Sequence, residues 1–433
     1  MAKIKINGYL CERCEHKWVA RNEKQPIVCP KCFPPNTIIS GEFKKISDFK
    51  QGDFVFGISG NICKVNKKFE HNWDGELIEI KASGCLPIQL TPEHKIFSLH
   101  CIQKSNSKKR KFSRSYLPPK YIEAAFLRKR PVSKNINSCG DYLIIPKLKG
   151  TIKTKKIPLN KFTTSHGLKV MAGKKIKPYF LLDKDSAWLM GLYVAEGYSV
   201  SNKGEILFCL GKHEKKLRES LIQKISKIRL THRIINNETA MIICANSRVL
   251  ARAFKLWFGD NAKTKKIPDF ILFHKDKKIY ESFLKGYIEG DGNCKIRDNR
   301  ARVNANTVSL TLALQLQLLS VRMRDFFNIT KVDFSKYSSY YCGRKIQGGI
   351  GYFLRSSAGK ISKLMGLPSL PRHNKSYVMF EDFVALPINK ITKVKYKGPV
   401  FNIETEEGNY LAGNLSVKNC KSPYWNTPRR KKT

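Results

Sequence analysis

Acidic residues are scarce in this chain: 34 Asp and Glu stand against 81 Lys and Arg in 433 residues, a formal net charge of +47. That excess is larger than solubility needs, and it points to a polyanion such as DNA or RNA, with an anionic membrane surface the weaker choice. Also missing is any apolar stretch of bilayer length, and Met1 to Leu10 has no apolar core followed by a cleavage site. Neither a membrane span nor a secretory leader is expected, so the chain reads as a cytoplasmic protein with no membrane partner. Apolar residues are plentiful, at 42% with 11% aromatic. These suffice for real cores, and 433 residues exceed what one core usually supports, so two or three compact units are expected in a monomeric chain.

Cysteine is not scarce, at 13 residues. In a reducing compartment these read as metal ligands, nucleophiles or buried thiols rather than a disulfide framework. Cys11-Glu12-Arg13-Cys14 and Cys29-Pro30-Lys31-Cys32 are paired C-x-x-C turns. Four thiolates at that spacing complete a tetrahedron around Zn²⁺ and can hold a fold too small for its own core. A ribbon of this kind should end soon after Cys32, yet the chain runs on to Asn419. The tail beginning Cys420-Lys421-Ser422-Pro423-Tyr424-Trp425 supplies the missing end: joining Lys31 to Cys420 restores C-x-x-C, with Cys420 in the place of Cys32. Residues 1–31 and 420–433 therefore read as two parts of one small basic zinc ribbon, whose basic charge suits a nucleic-acid partner, and residues 32–419 read as an insertion.

The insertion resembles an intein, a self-excising protein element. The resemblance rests on Cys32-Phe33-Pro34-Pro35-Asn36-Thr37-Ile38-Ile39, on Ile46 to Val55, on Leu90-Thr91-Pro92-Glu93-His94, on Val400 to Thr405 and on Val417-Lys418-Asn419-Cys420. Alternating apolar and polar residues with Gly-Asp and Gly-Asn turns make these flanks short antiparallel strands. The resemblance implies an all-β Hint horseshoe built from residues 32–170 and 381–419. It also implies roles. Cys32 is the first nucleophile, a thiol being best suited to attack the preceding carbonyl. Thr91 orients the amide, and His94 protonates the leaving nitrogen with an imidazole of near-neutral pKa. Cys420 receives the N-terminal segment, and Asn419 cyclises to release it. Lys418 and Gly408 stand where the family usually has His, and Asn402 where it has Asp; a lysine whose pKa is lowered by burial could serve at 418. No cofactor is implied for splicing.

Residues 171–380 change character. Leu189-Met190-Gly191-Leu192-Tyr193-Val194-Ala195-Glu196-Gly197 and Phe283 to Gly292 are two copies of one helix-ending pattern. Gly191, Ala195, Gly286 and Gly290 leave room for two helices to approach backbone to backbone, each delivering one acid, Glu196 or Asp291, at its end. Both copies resemble the LAGLIDADG signature of DOD-type homing endonucleases, and Lys265-Lys266-Ile267-Pro268 and Ser309 to Ser320 are similar to the blocks that accompany it. The resemblance implies an α+β domain with pseudo-twofold symmetry that splits the Hint part. Glu196 and Asp291 would hold Mg²⁺ and cut both strands of an intein-free host gene. Glu205 to Cys209 and Met241 to Cys244 are strands, either facing DNA as a ribbon or lying in the core. The basic run from Cys101 to Val170 is either a DNA-contacting extension or a solvated linker. Cys63, Cys85, Cys101, Cys139, Cys209, Cys244, Cys294 and Cys342 lack paired spacing and read as buried thiols. A second reading from another class stays open, a stable zinc-containing DNA-binding protein that does not splice and carries a degenerate endonuclease.

Overall fold

The computed structural model describes residues 8–11, 16–19, 31–106, 111–129, 138–163, 177–238, 240–297, 300–336, 339–341, 344–346, 348–357, 359–368 and 376–419. The chain divides into two compact units, Met1–Lys147 with Ser376–Thr433, and Leu148–Lys375.

The described part of the first unit is almost entirely antiparallel β. Its central path runs Lys44–Lys45, Ile38–Ile39, Asn409–Ala412, Leu415–Lys418, Lys95–Asn106, Ser138–Pro146, Phe383–Thr405, Ile62–Ala82 and Phe54–Phe56. Segments far apart in the chain are thus neighbours: Ile39 pairs with Ala412, and Ser40 N–H donates to Leu411 O at 2.8 Å. Ile62–Ala82 and Phe383–Thr405 pair along nearly their whole length, from Ala82 opposite Ile388 to Val65 opposite Thr405. The ends of this ribbon are buried. Its middle is solvated and carries cross-strand ion pairs, Lys393 with Glu76 at 2.9 Å and Lys397 with Asp74 at 3.1 Å, each worth little at the surface. Gly8–Cys11 pairs separately with His16–Val19.

The second unit carries one topology twice. The first half is helix α1 (Lys184–Glu196), strands Gly197–Val200 and Glu205–Gly211, helix α2 (Lys215–Lys227), strands His232–Asn236 and Ala240–Asn246, and helix α3 (Arg248–Phe258). A short helix α4 (Asp269–Leu272) leads into the second half: α5 (Lys277–Asp291), strands Gly292–Arg297 and Arg300–Thr307, α6 (Leu310–Arg322), strands Asn328–Asp333 and Ile350–Ser357, and α7 (Lys360–Leu364). In both four-stranded sheets the order is first, second, fourth, third. The second half also inserts a hairpin, Ser339–Tyr341 with Arg344–Ile346. Helix starts follow from sequence: Asp183 and Ser186 cap α1 reciprocally, and Ser247 and Ser309 accept from Leu250 and Leu312 N–H. Helix α1 is buried on every side from Ser186 to Val194, which suits a central helix.

Residues 148–163 lie in this second unit, so the border falls at 147/148 and not at the 170/171 of the sequence reading. Ile157 pairs with Phe180, Thr151 and Ile152 N–H both donate to Phe273 O, and Phe162 packs edge-on against Trp257 at 5.7 Å. Apolar burial fixes this segment although its basic composition suggested a linker. At the other border, Val378 pairs with Ala385 inside the first unit. Glu205–Gly211 and Ala240–Asn246 are the central strands of the first sheet, and Ile206, Leu207 and Phe208 are buried in succession, as the core reading expects. Cys63, Cys85, Cys101 and Cys244 are buried, but Cys209 is half-buried and Cys294 is exposed on an edge strand, against the expectation of burial for all; the side chains of Cys139 and Cys342 lie outside the described residues. Among the described residues no helix is long and apolar enough to cross a membrane.

Candidate active sites

The first unit gathers Cys32, Thr91, His94 and Asn419. All four are at most 1% exposed. The Lys31–Cys32 peptide is gripped from both sides. Cys32 N–H donates to Thr91 Oγ1 at 2.9 Å, while Thr91 Oγ1 and Thr91 N–H donate to Cys32 O at 3.2 and 3.0 Å. On the carbonyl side, Asn402 Nδ2 donates to Lys31 O at 2.5 Å. The amide of Asn402 can face only this way, because its Oδ1 accepts from Tyr410 O–H at 2.7 Å and from Ile403 N–H at 2.8 Å. Asn402 was noted from sequence only as a departure from Asp. That its nitrogen meets the carbonyl before Cys32 depends on partners distant in the chain.

His94 lies against Phe33, ring centroids 4.3 Å apart, and its N–H donates to Thr91 O at 3.1 Å. Its ring nitrogens make only a loose approach to the Lys31 backbone. Burial pushes the imidazole down to about 3; the Lys31 backbone favours protonation and the Lys31 ammonium opposes it. This corrects the near-neutral imidazole read from sequence. Desolvation outweighs every neighbour, and the ring is neutral at physiological pH.

At the other junction, Asn419 N–H donates to Gly408 O at 3.2 Å and Asn419 Nδ2 to Thr405 O at 3.3 Å. Gly408 has φ +73°, a left-handed turn position that histidine would occupy only under strain. One stretch, Asn402 to Gly408, therefore touches both Lys31 and Asn419. Lys418 Nζ lies 5.7 Å from the Tyr121 ring centroid. Of the expected zinc ligands, Cys11 ends a strand opposite His16, and Cys14, Cys29 and Cys420 lie outside the described residues.

In the second unit, α1 and α5 pack as parallel helices through their glycines. A Cβ at Gly191 would overlap the Phe283 carbonyl and meet Tyr287 N, and one at Gly286 would overlap the Trp188 carbonyl and meet Leu192 N. Phe283 corresponds to Trp188 and Tyr287 to Leu192 in the two sequence copies, so the contacts exchange under a pseudo-twofold axis. Both acids then arrive at the same end. Asp291 is pushed up to about 7 by burial and by the charge of Glu196, with Lys265 opposing; Glu196 is raised by burial and by Glu214. Lys265 is nearly buried and donates from Nζ to Tyr193 O at 2.8 Å and Gly197 O at 2.6 Å. Burial brings its ammonium down to about 7, against the pull of Asp291 and Glu196. Sequence reading placed Lys265 in an accompanying block but not in the site; the Lys-Lys-Ile-Pro block was the available signal. A cavity of about 520 Å³ opens beside Glu196, Asp291, Lys265, Tyr198 and Asn306.

Among the described residues no group of three or more His, Cys, Asp or Glu side chains gathers as a metal site. Two hard carboxylates that repel one another beside an open cavity nonetheless fit Mg²⁺, which is commonly bound by one or two acids with substrate phosphates and water completing its shell.

No family model matches the chain. Among curated proteins it is similar to the ATP-dependent DNA helicase Hel308 of Thermococcus kodakarensis, 28% identical over 87% of this chain and 35% of the relative. It is also similar to an iron-sulfur cluster assembly SufBD family protein of Mycobacterium tuberculosis, 22% identical over 91% of this chain and 43% of the relative. The chain thus spans between a third and a half of the length of these relatives. Among solved structures it is similar to I-DmoI in complex with DNA and calcium, a homing endonuclease, with 16% identity and a TM-score of 0.30 over 42% of this chain and 87% of that one.

Proposed function

We propose that the chain is a precursor that excises residues 32–419 by protein splicing, ligates its flanks into a small zinc-ribbon protein, and carries in the insertion a site-specific double-strand DNA endonuclease. The observation that carries the splicing reading is the Asn402–Gly408 stretch: its Asn402 amide donates to Lys31 O, while its Thr405 and Gly408 carbonyls accept from Asn419. Two junctions far apart in sequence share one scaffold. The relatives support an element that moves between hosts, because proteins named for unrelated work match nearly the whole of this chain over only part of their own length.

In this reading the Cys32 sulfur attacks the Lys31 carbonyl carbon and the C–N bond opens, leaving a thioester and a free Cys32 amine. Asn402 Nδ2 stabilises the developing oxyanion, and Thr91 holds the departing nitrogen. Neutral His94 can take the thiol proton and, as a strongly acidic imidazolium, pass it to that nitrogen. The Cys420 sulfur then displaces the Cys32 sulfur from the same carbon. Asn419 Nδ2 attacks its own carbonyl carbon and frees the Cys420 amine, onto which the acyl group shifts from sulfur. Lys418, next to Asn419 and 5.7 Å from the Tyr121 ring centroid, is the side chain placed to assist this last step.

In the second unit, Glu196 and Asp291 would hold Mg²⁺, which when bound would polarise the scissile phosphate and activate water. Lys265 lies nearly buried beside both acids, its Nζ held by the Tyr193 and Gly197 carbonyls, and the chain's +47 excess favours duplex DNA as substrate.

Intact-mass analysis of freshly produced protein tests the first activity. The 49.6 kDa chain is expected to give fragments of about 44 and about 5 kDa, and Cys32→Ala to give neither. Persistence of the full-length wild-type chain would refute splicing. For the second activity, Glu196→Gln is expected to abolish Mg²⁺-dependent cutting of DNA containing the joined host sequence.

A further inference from the structure

Residues 265–268 join the short turn Ala262–Thr264 to α4 through extended backbone, with φ, ψ of −55°, 137° at Lys265 and −72°, 153° at Pro268. They belong to no strand, so their peptide groups must find partners elsewhere. Helix α6 supplies three of these. Ser309 Oγ donates to Lys265 O at 2.6 Å, Ile267 N–H donates to Gln315 Oε1 at 2.6 Å, and Gln315 Nε2 donates to Ile267 O at 2.9 Å. From the other side, Lys266 N–H donates to Phe258 O at the end of α3 at 3.0 Å. Gln315 is a polar residue between Leu314 and Leu316, and it is 4% exposed. A buried amide is costly unless it is hydrogen-bonded. Both polar atoms of this one go to a single residue, as a neighbouring strand would pair with it. Lys265 is thus held at two ends: its backbone is tied to α6 in the second half, and its ammonium to the Tyr193 and Gly197 carbonyls at the end of α1 in the first.

We infer that Gln315 is a positioning residue for the endonuclease centre: by clamping Ile267 it fixes the backbone of Lys265, and with it the place of the ammonium relative to Glu196 and Asp291. The inference rests on the endonuclease reading and deepens it by naming a residue that acts through Lys265. Physically, a lysine side chain has many rotamers to lose, and a fixed backbone together with two carbonyl acceptors removes that freedom before substrate arrives. Gln317, two residues further along the same helix, is also buried but donates instead to Phe327 O at 3.0 Å. It offers a control of the same chemistry and burial.

The test uses the full-length chain and has two readouts. Without metal or DNA, dimethylation by formaldehyde and cyanoborohydride, followed by peptide mass, reports how well the Lys265 amine is shielded. Gln315→Met is expected to label at Lys265 about tenfold faster than the parent, and Gln317→Met to stay within about twofold of it. With Mg²⁺ and saturating DNA containing the joined host sequence, Gln315→Met is expected to lower the single-turnover cutting rate about tenfold while DNA affinity stays within about twofold. In a Lys265→Met background, adding Gln315→Met should slow cutting no further. Lys265 labelling that ignores Gln315 or responds equally to Gln317→Met, a loss carried by affinity, or effects that multiply would each overturn the inference. If Gln315→Met does not fold, Ser309→Ala, which removes the anchor on Lys265 O, takes its place with the same expected and overturning results. A parent chain that does not cut sinks the endonuclease reading itself, a result distinct from a parent that cuts while its Lys265 labelling is indifferent to Gln315.

Discussion

The amide of Asn402 can serve the Lys31 carbonyl only as a donor, because Tyr410 and Ile403 already occupy its oxygen. Asn402→Asp would turn a donor into an acceptor or an anion facing that carbonyl. Loss of one oxyanion donor typically lowers rates about 10² to 10³-fold. The thiol-induced cleavage rate at residue 31 is expected to fall by about that factor, even though the intein resemblance would make Asp the usual residue. His94 gives a pH signature. Its folded pKa of about 3 lies below the ordinary imidazole value near 6.5, so between those limits the unfolded chain binds more protons than the folded one. The stability linked to His94 is present above pH 6.5 and is lost as pH falls toward 3, with a slope of roughly 1.4 kcal/mol per pH unit. Denaturant unfolding of the wild type and His94→Phe across this range should reveal the slope in the first and its loss in the second. Cys32, Thr91 and His94 were legible in sequence because they sit in short motifs. The orientation of Asn402 and the pKa of His94 were not, since both arise from desolvation and from partners far along the chain.

At the level of elements, the α1 and α5 contact is set by absent side chains. Gly191 and Gly286 admit the opposing backbone so closely that a Cβ at either would overlap a carbonyl oxygen. Gly191→Val should therefore separate the helices and cost about 3 kcal/mol or more in unfolding of the second unit, measured by urea titration. DNA cutting should fall with it, because Glu196 and Asp291 are delivered by those helix ends. A volume-conserving change at the exposed start of α1, such as Lys184→Met, should do neither. These helices were readable in the sequence, being two copies of one local pattern with small residues at helical spacing. The strand partnership of Ile62–Ala82 with Phe383–Thr405 was not, since a solvated ribbon has little periodic signature in its middle. The assignment of residues 148–163 likewise needed the packing of Ile157 and Phe162 to outweigh the basic residues around them.

Across the whole molecule, Cys32, Thr91, His94 and Asn419 lie in one compact unit and Glu196, Lys265 and Asp291 in the other. If each unit holds its own chemistry, the two activities should separate cleanly. Asp291→Asn is expected to spare excision while ending DNA cleavage, and Cys32→Ala to spare DNA cleavage while ending excision, with mass spectra and plasmid linearisation as the two readouts. The sequence alone determined the reactive residue types, the paired acids and glycines, and the large positive charge, because each is a matter of composition or short spacing. Tertiary structure alone decided that the stretch from Asn402 to Gly408 reaches both junctions, that Lys31 is buried, and that Lys265 lies beside the acids. Those facts come from chain segments separated by tens to hundreds of residues being brought to hydrogen-bonding distance, and from the water their packing excludes.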